Sequence, residues 1–347
     1  MSTIDESMMQ RCLQQAALGM GGVAPNPMVG AVLVHEGLII GEGYHKKYGQ
    51  AHAEVNCVDS VPEEKRALIS RSTLYVSLEP CSHYGKTPPC TELIISRQIP
   101  RVVVGCTDPF AAVSGRGIDR LRAAGVEVTT GVLEPECIRL NKRFFTFHQK
   151  KRPYIILKWA QSADGLIALP GPKPVKISQS STDRLVHRWR SEEAGIMVGS
   201  HTALCDDPRL TNRLWTGASP VRIVIDRELK LPGHLKVFDN VSPTLVFNLK
   251  RAEKARNTEW VKLSSREDFL KNMLSALHQR DLLSVIVEGG AQLLQSFIDA
   301  GFWDEARVIT GNDLLEAGLR APALKGYSLI QTDEVEGDQI CFFEKLT

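Results

Sequence analysis

Nothing in these 347 residues approaches a membrane span: the longest apolar runs, such as Val29 to Val34 and Arg101 to Cys106, fall far short of the roughly 20 residues that cross a bilayer. Met1 to Met20 carries Asp5, Glu6 and Arg11 among its apolar residues. It lacks the basic start and continuous apolar run of an export signal, so a cytoplasmic protein is expected. An excess of one charge is missing too. Lys plus Arg number 42 against 40 for Asp plus Glu, and a net charge of +2 gives no reason to expect a polyanion held by bulk electrostatics. Small-molecule substrates fit better than nucleic acid, and no membrane partner is implied. Hydrophobic residues make up 43% and charged residues 24%, globular values that leave little room for low-complexity sequence. No Gly-x-Gly-x-x-Gly follows a strand pattern in the second half, which removes the usual sign of a Rossmann dinucleotide site.

What is present is an α/β alternation too long for one core. Met8, Cys12, Leu13, Ala16 and Ala17 recur at helical spacing, and Val29 to His35 and Leu38 to Tyr44 flank Glu36-Gly37 as a hairpin would. Short β-branched runs at Ser72 to Leu78, Arg101 to Cys106 and Val126 to Thr129 alternate with helical patterns near Ala53 to Asp59, Pro89 to Arg97 and Gly117 to Ala124. The polar stretch from His148 to Pro153 precedes a new apolar run, Tyr154 to Leu157, and marks the expected boundary between domains 1–147 and 148–347. Beyond it, strands at Tyr154 to Trp159, Gly195 to Gly199, Arg222 to Asp226, Thr244 to Asn248 and Ser284 to Glu288 are expected. Helices are expected around Val186 to Arg190, Phe269 to His278 and Leu293 to Ile298.

Eight cysteines without an export signal read as reduced thiols or metal ligands rather than a disulfide framework. Cys81 and Cys90 alone, separated by eight residues, would be weak evidence, since a free Cys is often simply buried. An upstream His52-Ala-Glu54 and a Pro80 before the first Cys change the reading to a zinc deaminase, with His52, Cys81 and Cys90 as ligands. Three protein ligands leave the fourth position of a catalytic zinc for water, whose pKa falls to about 7. Glu54 is then the catalytic proton shuttle between that water, a ring nitrogen and the leaving amine. Positions 52 and 54 lie on different sides of a continuing helix, but from its first turn both reach an object beyond its end. Pro88 and Pro89 suit the start of the helix that Cys90 enters. Cys12, Cys57, Cys106, Cys137, Cys205 and Cys341 have no such company and read as structural.

Pro25-Asn-Pro-Met-Val-Gly30, Gly43-Tyr-His45, His52-Ala-Glu54 and the segment from Glu79 to Cys90 resemble the deaminase half of the bacterial bifunctional riboflavin biosynthesis enzymes. The His-x-Gly-Lys-Thr-Pro-Pro loop between the two Cys is the specific part. This resemblance implies a cytidine-deaminase-like three-layer domain in which Asn26, His45, His83 and Lys86 contact a phosphorylated pyrimidine. Taken one at a time, each of these could be a solvated loop residue. Where the family usually has Asp-Pro-Asn-Pro, this chain reads Asp108-Pro-Phe-Ala111, so an amide contact is missing.

In the second half, an apolar strand followed by Gly289-Gly290 and a helix would place bare backbone amides where a pyrophosphate can sit; a plain tight turn accounts for it equally well. Lys158 to Gly165, Val198 to Arg213 and Val285 to Leu294 resemble the reductase half of the same enzymes. That implies a dihydrofolate-reductase-like domain using NADPH, with Arg190, Leu210, Arg213 and Glu288 lining the substrate. It also implies Gln161, Lys176, Thr202, Asp206 and Gly290 at the cofactor, and Lys158 and Asp164 near the reaction centre. Lys176 replaces an aromatic residue that many members carry. A homo-oligomer is expected on the same ground. Two other classes compete. Arg139, Lys142, Arg143, Lys150, Lys151 and Arg152 interleave with Phe144, Phe145 and Phe147, as in a nucleoside or nucleic-acid deaminase with an accessory domain, or as in an amphipathic helix. A non-enzymatic zinc module would leave Glu54 without a purpose.

Overall fold

The computed structural model describes residues 3–84, 88–110, 114–171 and 175–346. The chain divides into two compact units, Met1–Lys150 and Lys151–Thr347. In the first, the chain order is α1 (Thr3–Ala17), β1 (Gly30–His35), β2 (Leu38–Tyr44), α2 (Ala53–Asp59), β3 (Thr73–Leu78), α3 (Cys90–Ser96), β4 (Arg101–Cys106), α4 (Arg116–Ala123), β5 (Glu127–Thr130), α5 (Glu134–Leu140) and α6 (Lys142–Lys150). The sheet order is β2-β1-β3-β4-β5, with β1 antiparallel to both neighbours and β3, β4 and β5 parallel.

Side-chain alternation sorts the helices to two faces of this sheet. Ala31, Leu33, Leu74, Val76, Val102 and Val104 pack with Ala53 and Cys57 of α2, Ile94 of α3 and Leu121 of α4. The other face receives α1, and glycine makes that approach possible: a Cβ on Gly30 would lie 2.0 Å from the Cys12 carbonyl oxygen. On the α2 side, a Cβ on Gly43 would lie 2.3 Å from the Cys57 nitrogen. The close docking of α2 brings the start of that helix to the sheet edge beside the Cys81–Cys90 segment. Phe144, Phe145 and Phe147 of α6 are buried, with ring contacts among themselves and to His148, so the aromatic stripe is a packing face.

The second unit runs β6 (Tyr154–Gln161), β7 (Leu166–Ala168), α7 (Ser180–Glu192), β8 (Gly195–Gly199), α8 (Ser200–Asp206), β9 (Val221–Ile225), β10 (Thr244–Asn248), β11 (Glu253–Ala255), β12 (Thr258–Lys262), α9 (Phe269–His278), β13 (Ser284–Glu288), α10 (Ala291–Asp299), β14 (Glu305–Thr310), β15 (Leu319–Arg320), β16 (Tyr327–Val335) and β17 (Asp338–Lys345). Ten strands form one sheet, β11-β12-β10-β9-β8-β13-β6-β14-β17-β16, parallel through its middle and antiparallel at both ends. Helices α9 and α10 cover one face, where Phe269, Met273, Leu294 and Phe297 meet Ile155 and Leu157. Val186 and Trp189 of α7 cover the other with Ile156, Ile196 and Ile286. The carboxyl ends of the adjacent parallel strands β8, β13 and β6 therefore open on one edge, where ligands bind in such sheets. Among the described residues no helix is long and apolar enough to cross a membrane.

Candidate active sites

His52 is the N-cap of α2 in extended backbone, and Cys90 is the first residue of α3 behind the N-cap Pro89. Two helix starts thus present their end residues to the same point. His52 Nδ1 lies 3.5 Å from Cys81 Sγ and 3.4 Å from Cys90 Sγ. All three donor atoms fall within 4.8 Å of one another. A tetrahedral zinc with Zn–N of about 2.0–2.1 Å and Zn–S of about 2.3 Å separates nitrogen from sulfur by about 3.5 Å, so the donors already stand at the spacing the ion requires. The Cys90 N–H donates to Cys81 Sγ at 3.3 Å, and the Cys90 thiol together with His52 holds Cys81 below the ordinary thiol range against its burial. A thiolate is the form a metal needs.

Glu54, only 3% exposed, is two residues past the N-cap. Burial first, then the Cys81 thiolate, pushes its carboxyl up to about 7. A bound dication would pull it down again, leaving a group able to take and return a proton near neutral pH. Beside it, His45 is buried, with its ring 5.3 Å from that of His52. His45 Nδ1 lies 3.0 Å from the Ala51 carbonyl, which can only accept, so Nε2 is the lone-pair nitrogen and accepts from Asn26 Nδ2 at 3.1 Å. The Asn26 amide is thereby oriented, with its Oδ1 free of partners among the described residues. His83 is exposed in the loop after Cys81, while Lys86 and Ala111 lie outside the described residues.

Sequence reasoning missed the part played by Glu79. Its buried carboxylate accepts from the backbone N–H of Asp108 (3.2 Å), Gly115 (2.9 Å), Gly117 (2.8 Å) and Ile118 (3.4 Å). It so ties the chain after β4 to the ligand segment. A Cβ on Gly117 would lie 2.1 Å from the Pro80 carbonyl oxygen.

In the second unit, register sets Lys158 opposite Glu288 on neighbouring strands, with Nζ 3.9 Å from Oε2. Arg190 of α7 binds the same carboxylate through both oxygens, at 2.8 and 2.7 Å. Burial opposes the charge on Glu288, but Arg190 and Lys158 outweigh it and hold the carboxyl down at about 2. Burial, with Arg190 adding, lowers the Lys158 pKa against the pull of Glu288. Arg213 is exposed, its Nη1 donating to Thr211 Oγ1 at 2.9 Å and to the Thr211 carbonyl at 3.3 Å. Partial desolvation of its guanidinium, then Arg190 and Arg209, lower its pKa. Leu210 has a left-handed φ of 51° and a side chain buried in the α7 face of the core, so only its backbone is presented. Asp183 and His187 stand at i and i+4 before Arg190 at i+7 on one stripe of α7, a helical spacing that could have revealed them.

Gly289 (φ 105°) and Gly290 (φ 69°, the N-cap of α10) keep this turn free of side chains. Thr202 of α8 packs against them: a Cβ on Gly290 would sit 3.2 Å from its Oγ1. The turn is a backbone cradle at a helix start, suited to a dinucleotide phosphate. Asp206 ends α8, with burial raising its carboxyl. Gln161, at the end of β6, accepts from Trp159 Nε1 at 2.9 Å and donates to Thr310 Oγ1 at 3.3 Å. Asp164 accepts from Ser162 Oγ and from the N–H of Leu315 and Glu316, fixing a loop at the strand ends. Lys176 is exposed and paired with Asp183 at 3.3 Å.

Comparison with known proteins matches residues 2–106 to the cytidine and deoxycytidylate deaminase zinc-binding region and residues 153–320 to the RibD C-terminal domain. Riboflavin biosynthesis protein RibD of Aquifex aeolicus is 41% identical, over 91% of this chain and 89% of that protein. The protein of the same name from Escherichia coli is 35% identical, over 91% and 85%. The Thermotoga maritima diaminohydroxyphosphoribosylaminopyrimidine deaminase/5-amino-6-(5-phosphoribosylamino)uracil reductase superposes with a TM-score of 0.89 at 35% identity, covering 99% of both chains. Acinetobacter baumannii RibD gives 0.90 at 30% identity, also over 99% of both.

Proposed function

The chain belongs to the RibD family of riboflavin biosynthesis proteins, and we propose that its two units carry the family's two reactions on the two residue sets described above. It is a bifunctional enzyme, a zinc-dependent deaminase and an NADPH-dependent reductase, joining a cytidine-deaminase-like to a dihydrofolate-reductase-like domain. The observation that carries the first assignment is the match of the His52, Cys81 and Cys90 donors to zinc's tetrahedral spacing beside the buried Glu54.

His52 Nδ1, Cys81 Sγ and Cys90 Sγ would hold the ion, which when bound supplies a Lewis acid and a water that ionises near neutral pH. Glu54 would take one proton from that water and pass it to a ring nitrogen of a diaminopyrimidine ribosyl phosphate, then carry the water's second proton from the new ring hydroxyl to the amine, which departs as ammonia. Asn26, its amide turned by His45, meets the pyrimidine, and His83 and Lys86 meet its ribosyl phosphate. In the second unit Gly290, Thr202, Asp206, Gln161 and Lys176 would hold NADPH, which when bound supplies a hydride for the reduction of ribosyl to ribityl. Glu288 stays ionised at the strand ends, beside Lys158, which can give up a proton there. Arg213, with Nη2 and Nε free of hydrogen bonds among the described residues, binds the phosphate, and the Leu210 backbone lines the sugar. We also place the enzyme in the cytoplasm as a homo-oligomer, as the family resemblance implies.

Incubating the purified protein with the diaminopyrimidine ribosyl phosphate, with and without NADPH, should give two sequential mass changes, the second only with cofactor. Glu54→Gln should retain stoichiometric zinc yet lose at least about 100-fold in deamination, because the ligands remain and the proton carrier is gone. Full deaminase activity in that variant would contradict the role. His52→Ala should instead lower zinc and activity together.

A further inference from the structure

Among the buried titratable side chains of the second unit that no motif claims, one stands against the candidate substrate residues. His187 is 5% exposed, on the stripe of α7 that carries Arg190. Its Nδ1 faces two backbone N–H groups, those of Arg213 at 2.9 Å and Leu214 at 3.4 Å. Both can only donate, so Nδ1 must offer its lone pair and the ring hydrogen belongs on Nε2. The Arg190 Nη1 that stands 3.4 Å from Nε2 is then a contact between two hydrogen-bearing atoms rather than a hydrogen bond.

The loop that bears Arg213 is closed on itself by Asn212, whose amide donates to the Trp215 and Gly217 carbonyls. Its backbone hydrogen bonds to α7, among the described residues, are the two accepted by His187 and a longer one from Arg190 Nη1 to the Thr211 carbonyl at 3.4 Å, and the Asn212 side chain also meets the His187 ring. Resting on the reading of Arg213 as the phosphate-binding cation, we infer that His187 is a positioning residue for ribosyl reduction, holding Arg213 in place through its Nδ1 lone pair. The groups that face the ring keep it neutral. Burial disfavours its charged form, and so do Arg190 from its own helix and Arg213 from the loop; the Asn212 side chain from the loop and Glu288 from β13 pull the other way without reversing this. Protonation would turn Nδ1 into a donor aimed at two donors, and the loop would lose both of the bonds that Nδ1 accepts.

The test uses the full chain, the isolated deaminated intermediate as substrate, and NADPH oxidation as readout. His187→Leu should raise the KM for the intermediate about 10-fold or more while kcat and NADPH affinity change by less than about 3-fold. His187→Asn, whose Oδ1 can replace the Nδ1 acceptor, should restore KM to within about 3-fold of the parent. His187→Leu added to Arg213→Ala should cost little beyond Arg213→Ala alone, because the two act as one unit. The parent's KM should rise more steeply than that of His187→Asn between about pH 7 and pH 5, a comparison that cancels the substrate phosphate's own titration near pH 6. An unchanged KM in Arg213→Ala sinks the phosphate reading and this inference with it. A raised KM in Arg213→Ala beside an unchanged one in His187→Leu overturns the positioning role alone, as does His187→Asn behaving like His187→Leu. If His187→Leu does not fold, the parent and His187→Asn decide: identical pH profiles overturn the inference.

Discussion

Two glutamates, both buried, are driven in opposite directions by their neighbours. Burial, with the Cys81 thiolate adding, raises Glu54 to about 7, whereas at Glu288 Arg190 and Lys158 outweigh burial and bring the carboxyl to about 2. Because the folded value of Glu288 lies below its ordinary 4.5, the stability it contributes is present above about pH 4.5 and is lost as pH falls toward 2. The amount is on the order of 3 kcal/mol, since each pKa unit is worth about 1.4 kcal/mol. Calorimetry on the whole chain should show the melting of the second unit falling through that window. In Glu288→Gln that dependence should flatten, at a generally lower Tm, because Arg190 and Lys158 then stay buried without their anion. An equally steep acid dependence in the variant would place it on other carboxylates. The sequence named Lys158, Arg190 and Glu288 as site residues without pairing them, since only the register of β6 against β13 and the packing of α7 on that sheet make them neighbours.

Elements, unlike single side chains, were mostly legible. The hairpin β1–β2, the helices α2 and α9, and the strands β4, β8, β10 and β13 follow from apolar runs and turn residues close to where the structure has them. The last fifty residues were not read as strands, for a physical reason. β14 spells Glu305-Ala-Arg-Val-Ile-Thr310, and its Glu305 and Arg307 are buried as an ion pair that interrupts the apolar pattern. β16 is an edge strand with mostly exposed side chains, so it has no buried face to imprint on the sequence. Two turns carry predictions at this scale. Gly117→Ala would push a Cβ to 2.1 Å from the Pro80 carbonyl, next to the candidate zinc ligand Cys81, and disturb the loop that Glu79 holds. Such overpacking costs about 1–3 kcal/mol, so deamination should fall at least about 10-fold with a lower Tm for the first unit, while reduction persists. Gly290→Ala forces a left-handed residue against Thr202, and NADPH affinity measured by fluorescence titration should fall by about 10-fold with deamination intact. Unchanged affinity would move the cofactor's phosphates off this turn.

At the scale of the whole molecule, each unit has its own sheet and core, and we expect separation between residues 148 and 153 to give two folding, active fragments. The first should deaminate and bind zinc, the second should bind NADPH. A soluble, folded second fragment with no NADPH binding would contradict this. The candidate deaminase site was legible in the sequence because its chemistry is local: His-x-Glu and a Pro-preceded Cys pair declare themselves by residue type, and helix starts at short range bring His52, Cys81 and Cys90 to one point. Tertiary structure alone decided which groups change character on burial, and which meet across long separations. Glu79 reaches Gly117, and His187 reaches Arg213, only after strands and helices have packed. Sequence proximity encodes ligand sets and turns; hydrogen-bond partners and shifted pKa values depend on what burial removes from water and what it brings near, and that is a property of the folded chain.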